Sequence, residues 1–268
     1  MFRTKQGRRR GPALALVAAA SLMYALTGCS AERVTPGEAR AEAGTDSGNR
    51  KGGGGASAAD AVDCAAVKCI ALTFDAGPGK DTPRLLDTLK EKRVRATFFL
   101  LGSKHVDRYP EVVKRIAAEG HEVANHTWSH RILTDLDAAE VRDELSRTQD
   151  AIERITGRKP TLMRPPQGRT DDTVSDVSRE LGLAQVLWSI TAKDYSTVDS
   201  ALIRERVLGQ AHRDGIILLH DIYDGTVPAV PGIINELKRQ GYTFVTVPQL
   251  LAPGKAEPGV IYRPEKDD

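Results

Sequence analysis

One stretch limits what this chain can fold into: Ile70-Ala71-Leu72-Thr73-Phe74-Asp75-Ala76-Gly77-Pro78-Gly79. An apolar run with Thr and Phe reads as a buried strand. It ends in a carboxylate followed by Gly-Pro-Gly, which neither continues a strand nor starts a helix. Asp75 therefore sits at a strand's C-terminal end, on the lip where α/β folds place their chemistry. Three later strand ends carry a similar polar load: Asn125-His126-Thr127-Trp128-Ser129-His130, Arg164-Pro165-Pro166-Gln167-Gly168 and Leu218-Leu219-His220-Asp221.

Between these ends the chain alternates strand and helix. The patterning predicts strands at 96–101, 122–125, 161–163, 184–187, 216–219 and 242–246. It predicts helices at 82–92, 103–119 (interrupted at Pro110), 137–156, 171–181, 199–213, 228–239 and 248–251. Thr82 reads as an N-cap with Pro83 at the first helical position. Repeated βα units imply a parallel sheet or barrel of about seven strands with helices outside. A doubly wound open sheet gives the same pattern.

The ends of the chain read differently. Arg3, Lys5, Arg8, Arg9 and Arg10 precede an apolar run from Ala13 to Leu26, which is short for a bilayer span. Basic head, short apolar core and small residues before a break make an export signal over 1–29. Its ending, Leu26-Thr27-Gly28-Cys29, looks like a bacterial lipobox, in which Cys29 is acylated. Residues 30–60, with Gly52 to Gly55 inside, read as a disordered tether with an r.m.s. reach of roughly 30 Å. The globular domain is expected at 61–254, and 255–268 as a tail. Cys64 and Cys69, in an exported protein, suggest a disulfide pinning the approach to the first strand. The formal charge is only +2, with no basic stripe interleaved with aromatics, so nucleic acid is a poor partner.

Several side chains could do chemistry. His126 and His130 are four apart, a spacing at which two imidazoles share one divalent cation if the segment turns helically. An exposed polar loop is the alternative. Asp75 could equally cap its turn, and His220 could be a structural strand-end histidine. Arg164 precedes two prolines, so its backbone is extended. From there its guanidinium can hold Asp75 ionised.

These stretches, in this order from Ile70 to Leu251, resemble the polysaccharide deacetylases of the NodB-homology type, carbohydrate esterase family 4. The resemblance implies a distorted (β/α) barrel and a metal-dependent hydrolase that removes acetyl groups from a polysaccharide. It implies Asp75 as general base, His126 and His130 as metal ligands, and Arg164 as the partner of Asp75. It gives His220 the role of general acid, oriented by Asp194, and the Gln167 backbone N–H that of oxyanion donor. Trp188 and Leu218 would line the acetyl pocket, although core packing accounts for both. The metal would be divalent, zinc first, with cobalt or nickel as substitutes. The chain departs from the family at Ala76, where the family has the third metal ligand, an Asp. Tyr195 stands for the usual Trp, Thr191 for a frequent Asp, and Gln167 for the usual Tyr. Two readings follow: a deacetylase acting on N-acetylglucosamine polymers or acetylated xylan, and a non-catalytic carbohydrate-binding relic. The expected setting is a monomer, lipid-anchored through Cys29 to the outer face of the membrane.

Overall fold

The computed structural model describes residues 1–2, 32–45 and 62–265. The export signal, Cys29 and the Gly52–Gly55 run lie outside the described residues. In chain order the elements are β1 (Arg33–Val34), α1 (Pro36–Thr45), β2 (Cys69–Gly77), α2 (Thr82–Lys92), β3 (Thr97–Leu100), α3 (Pro110–Ala118) and β4 (Glu122–Asn125). They continue with α4 (Ala138–Thr156), β5 (Leu162–Met163), α5 (Asp172–Glu180), β6 (Ala184–Val186), β7 (Ile190–Thr191), α6 (Ser200–Leu208) and β8 (Gly215–Leu219). The last are α7 (Thr226–Arg239), β9 (Thr243–Val245), α8 (Val247–Leu251) and β10 (Ile261–Tyr262).

Every strand pairing is parallel, in the order β1-β10-β6-β5-β4-β3-β2-β8-β7, with β9 added on β2. Among the described residues the two ends of this order do not pair, which leaves the barrel open on one side. It is the α/β distorted barrel that the resemblance implies, with ten strands among the described residues where about seven are expected. Strands alternate their side chains between the two faces. Ile70, Leu72 and Phe74 of β2 pack outward with Leu85, Leu89, Ile234 and Leu237 of the surrounding helices. Ala71 packs inward with Phe99, Ala124 and Ile216, above Val247, Leu250 and Leu251 of α8, which plugs the lower end. Truncating Phe74, which is fully buried, should cost about 3–5 kcal/mol. The same alternation carries Thr73 and Asp75 inward, so the polar ends of the strands converge on the barrel mouth.

The structure corrects four boundaries. Residues 32–45, read as part of a tether, form β1 and α1. Ala39 of α1 is buried in the inner core, and Arg40 bonds the Leu250 carbonyl and pairs with Asp214. Residues 255–268, read as a tail, supply β10, which pairs with β1 and β6. The helix predicted from Ser103 begins only at Pro110, because Ser103 is extended and Lys104 is left-handed at φ 68°. Thr82 is not the cap of α2. Asp81 holds that position, while the Thr82 hydroxyl accepts from the Gly79 N–H and donates to Asp221. Cys64 and Cys69 are disulfide-bonded, with Cα atoms 5.4 Å apart.

Candidate active site

Asp75, at the inner end of β2, is 2% exposed. Its Oδ1 accepts from Arg164 Nη1 at 2.7 Å. The same Nη1 donates to Thr73 Oγ1 at 2.8 Å, and Arg164 Nε donates to the Val186 carbonyl at 2.9 Å. The guanidinium lies 4.0 Å from the Phe99 ring centroid. Burial pulls the Arg164 pKa below its ordinary value, and Asp75 opposes that pull. Two charges out of water hold only when paired and hydrogen-bonded, and this pair is.

The two histidines do not lie on a helix. Thr127 and His130 both have left-handed backbones, at φ 70° and 65°. The His130 N–H donates to Thr127 Oγ1 at 3.1 Å, closing the turn. Glu144 of α4 shapes the same loop, accepting from the N–H groups of Trp128 and Ser129 and from the Ser129 hydroxyl. The loop places the two rings 5.0 Å apart between centroids. His126 Nδ1 lies 2.8 Å from the Arg164 carbonyl. A carbonyl only accepts, so Nδ1 carries the proton and Nε2 holds the lone pair. Nε2 is 3.9 Å from Asp75 Oδ2. Burial pushes the His126 pKa down to about 4 and also lowers that of His130. Neutral imidazoles are the form that ligates a cation.

Position 76 is where the set falls short. Ala76 lines the cleft with a methyl group and sits at φ 62°, a region where Asp and Asn are far commoner than Ala. Among the described residues no group of three or more His, Cys, Asp or Glu side chains is placed to hold a metal. Catalytic zinc usually keeps three protein ligands. The donor chemistry of His126 and His130 suits a divalent cation, but the protein ligand set is one short.

Across the mouth, His220 follows β8. Its Nδ1 is 2.8 Å from Asp194 Oδ1, and its N–H donates to Asp194 Oδ2 at 2.7 Å. Thr226 Oγ1 donates to the same Oδ2 at 2.7 Å. Burial acts to lower the His220 pKa, but the hydrogen bond and charge of Asp194, with Asp75 behind them, outweigh it and the pKa rises.

The cleft between these groups holds about 680 Å³ and is lined by Asp75, His126, His130, Gln167, Trp188, Leu218 and His220 among others. Gln167, at φ 57° in a tight turn, lines the cleft. Trp188 lies over Gly168, where a Cβ would come within 3.0 Å of the ring. Three features escape sequence reasoning. His105 lines the cleft, tied by Nδ1 to the Pro78 carbonyl at 3.0 Å. Tyr223 packs edge-on against His220 at 5.4 Å between centroids. Glu144 hides in the buried face of an ordinary amphipathic helix.

Comparison with known proteins bears on the family and the fold. The family described as polysaccharide deacetylase matches residues 63–186. A peptidoglycan-N-acetylmuramic acid deacetylase, PdaC of Bacillus subtilis (strain 168), is 44% identical over 184 residues, 68% of this chain and 38% of its own length. The chain thus spans well under half of that relative. A solved structure described as T48 deacetylase with substrate is 42% identical, with a TM-score of 0.72, and is covered over 100% of its length by 75% of this chain. A mutant of a carbohydrate esterase family 4 pseudoenzyme with restored enzymatic activity is 32% identical at a TM-score of 0.66, over 69% of this chain and 68% of its own.

Proposed function

The chain belongs to the polysaccharide deacetylase family, and on that premise we propose that it hydrolyses acetyl groups from a cell-wall polysaccharide. The favoured substrate is an N-acetylglucosamine polymer such as peptidoglycan or chitin, with acetylated xylan as the ester counterpart. One observation carries the reading: a carboxylate held by a buried arginine and an imidazole held by a buried carboxylate face one cleft.

Each residue has a task. Asp75, held in place by Arg164, takes the proton of the attacking water. The Gln167 N–H donates to the oxygen of the tetrahedral intermediate. His220, whose proton Asp194 favours, gives it to the departing amine or alcohol. Trp188 and Leu218 flank the acetyl methyl. His126 and His130 offer their lone pairs to a divalent cation, zinc first, then cobalt or nickel. Such an ion, when bound, polarises the acetyl carbonyl and acidifies water.

Ala76 favours a second reading, a carbohydrate-binding relic with an impaired metal site. Zinc titration of the protein, followed by calorimetry, with acetate release from chitooligosaccharide, peptidoglycan and acetylxylan, separates the two. For a deacetylase, binding and release occur together and both fail in His130→Ala. For a relic, neither occurs, while Ala76→Asp gains both. An Ala76→Asp variant with unchanged zinc affinity would sink the assignment of position 76 as the missing ligand. We further propose export of the chain and anchoring of a monomer through acylated Cys29 at the outer face of the membrane.

A further inference from the structure

The lower end of the barrel, opposite the cleft, carries two adjoining hollows of about 660 and 510 Å³. They lie at the N-terminal ends of β3, β4 and β5, whereas the cleft lies at the C-terminal ends of the strands. His121 lines both hollows, so they form one continuous surface. The cations lining them are Lys90, Arg93, Arg95, Lys114, Arg158 and Lys159. The acids lining them are Glu119 and Glu122. Neither cancels this charge. Glu119 is bonded to Arg115 at 2.8 Å, and burial pushes the Glu122 pKa up to about 7. Lys90, Arg93, Lys114 and Arg158 are exposed and form no ion pair among the described residues, whereas Lys159 lies 3.7 Å from Asp150. In a chain whose formal charge is only +2, so local an excess is a polarity of the fold.

The chain first enters the domain at Arg33 of β1, which is parallel to the other strands and so starts at this same end, and it returns here after α1. Val62, the first residue described after the 46–61 segment, lines the first hollow beside Lys90 and Arg93. The cations near the mouth are instead paired: Lys80 with Asp81 and Asp224, Arg131 with Glu140, and Arg169 with Asp135.

We propose that this lower face docks on an anionic phospholipid surface, with the chain arriving at the docked end and the cleft turned away from the bilayer. Exposed lysines and arginines near an anionic leaflet gain attraction that falls off within a Debye length, so four of them on one face select an orientation. Hollows of this size admit phosphate-bearing headgroups between the side chains. Docking would hold the mouth toward polymer outside the membrane instead of leaving it to tumble. The inference stands whether or not the cleft hydrolyses acetyl groups.

The test uses the chain from residue 29 onward carrying Cys29→Ser, so that neither the basic, apolar export signal nor an acyl group contributes. Co-sedimentation is measured with vesicles of phosphatidylglycerol and phosphatidylcholine, and with phosphatidylcholine alone, at low and physiological salt. Lys90→Glu/Arg158→Glu is compared with Arg131→Glu/Arg169→Glu, which makes the same change of net charge near the mouth. Circular dichroism and thermal melts check that both variants fold. The expected result is a preference for phosphatidylglycerol that salt weakens. Reversal at the lower face should reduce it by about tenfold or more, and reversal at the mouth by less than about twofold. Equal losses in the two variants, or no preference between the lipids, overturn the proposal. Stronger binding to soluble poly(glycerol phosphate) than to the vesicles would also overturn it, in favour of an anionic wall polymer as the partner of this face.

Discussion

Two ion pairs face one cleft, and they are built from different materials. Asp75 is held by Arg164, with side chains 3% and 0% exposed. Asp194 is held by His220, at 1% and 16%. A guanidinium keeps its proton at any pH a folded protein meets, whereas an imidazole does not. One carboxylate therefore has a permanent partner and the other a switchable one. A cleft that must present a base and an acid at the same pH needs that asymmetry, and environment creates it. His126, buried beside the first pair, is driven down to about 4, while the partner of Asp194 is driven up.

The comparison breaks most violently at Arg164. Arg164→Leu leaves the Asp75 carboxylate buried without a counter-charge, and should cost about 3–5 kcal/mol in urea unfolding. His220→Ala should cost much less stability, since Asp194 still accepts from Thr226 and from the backbone of residue 220. A loss in Arg164→Leu no larger than in His220→Ala would erase the distinction between the pairs.

On the other side the effect belongs to rate. His220→Ala should lower kcat for acetate release by roughly 10²–10⁴, the usual worth of a positioned acid. Asp194→Asn tests why. Below its pKa His220 is protonated and able to donate; as pH rises through that pKa the rate falls. With Asp194 neutralised, burial is no longer outweighed, so the fall moves to lower pH. A pH–rate profile with an unmoved alkaline limb would remove Asp194 from the acid's tuning.

Much of this was legible before folding. The alternation of Ile70, Leu72 and Phe74 with Ala71, Thr73 and Asp75 fixes which face Asp75 joins. The two prolines after Arg164 fix an extended exit. What stayed hidden has physical reasons. Arg33–Val34 and Ile261–Tyr262 are two-residue strands, too short for periodicity, and each finds its partner at the other end of the chain. The Ala- and Glu-rich α1 shows no apolar stripe, because it buries little beyond Ala39. The spacing of His126 and His130 suggested a helical turn, while left-handed residues at 127 and 130 achieve the approach by a different route. His105 reaches the cleft only because Lys104 turns left-handed, a tertiary choice that no local pattern announces.

Each ion pair is also backed by one buried threonine, which sharpens the contrast. Thr226 donates to the Asp194 carboxylate, and Thr226→Val should cost about 1.5–3 kcal/mol, as for a hydrogen bond to a charged group. Thr73 instead accepts from Arg164, which keeps its bonds to Asp75 and Val186, and donates to the Ile217 carbonyl at 2.6 Å, so Thr73→Val removes two ordinary bonds and should cost about 1–1.5 kcal/mol. Urea unfolding of both variants decides the order. The reverse order would mean that the arginine pair depends on its neighbours more than the histidine pair does.

The smallest effect is the pH dependence of stability, and its sign distinguishes the pairs. His220 has a folded pKa above its unfolded value. Its pair with Asp194 therefore contributes fully below the unfolded pKa, near 6.5, and the contribution is lost as pH rises through the folded one. The guanidinium of Arg164 keeps its proton throughout that window. A third group titrates nearby: Asp221, fully buried against Thr82, has its pKa pushed up to about 6 by burial. It too loses stability as pH rises, so the raw slope of the natural protein mixes the two. Subtraction separates them. The Tm difference between the natural protein and His220→Gln should shrink as pH rises through the folded pKa of His220, and the same shrinkage should survive in an Asp221→Asn background. A difference that stays constant with pH would mean that His220 is held no more tightly by Asp194 when charged than when neutral, and the switchable side of the comparison would be gone.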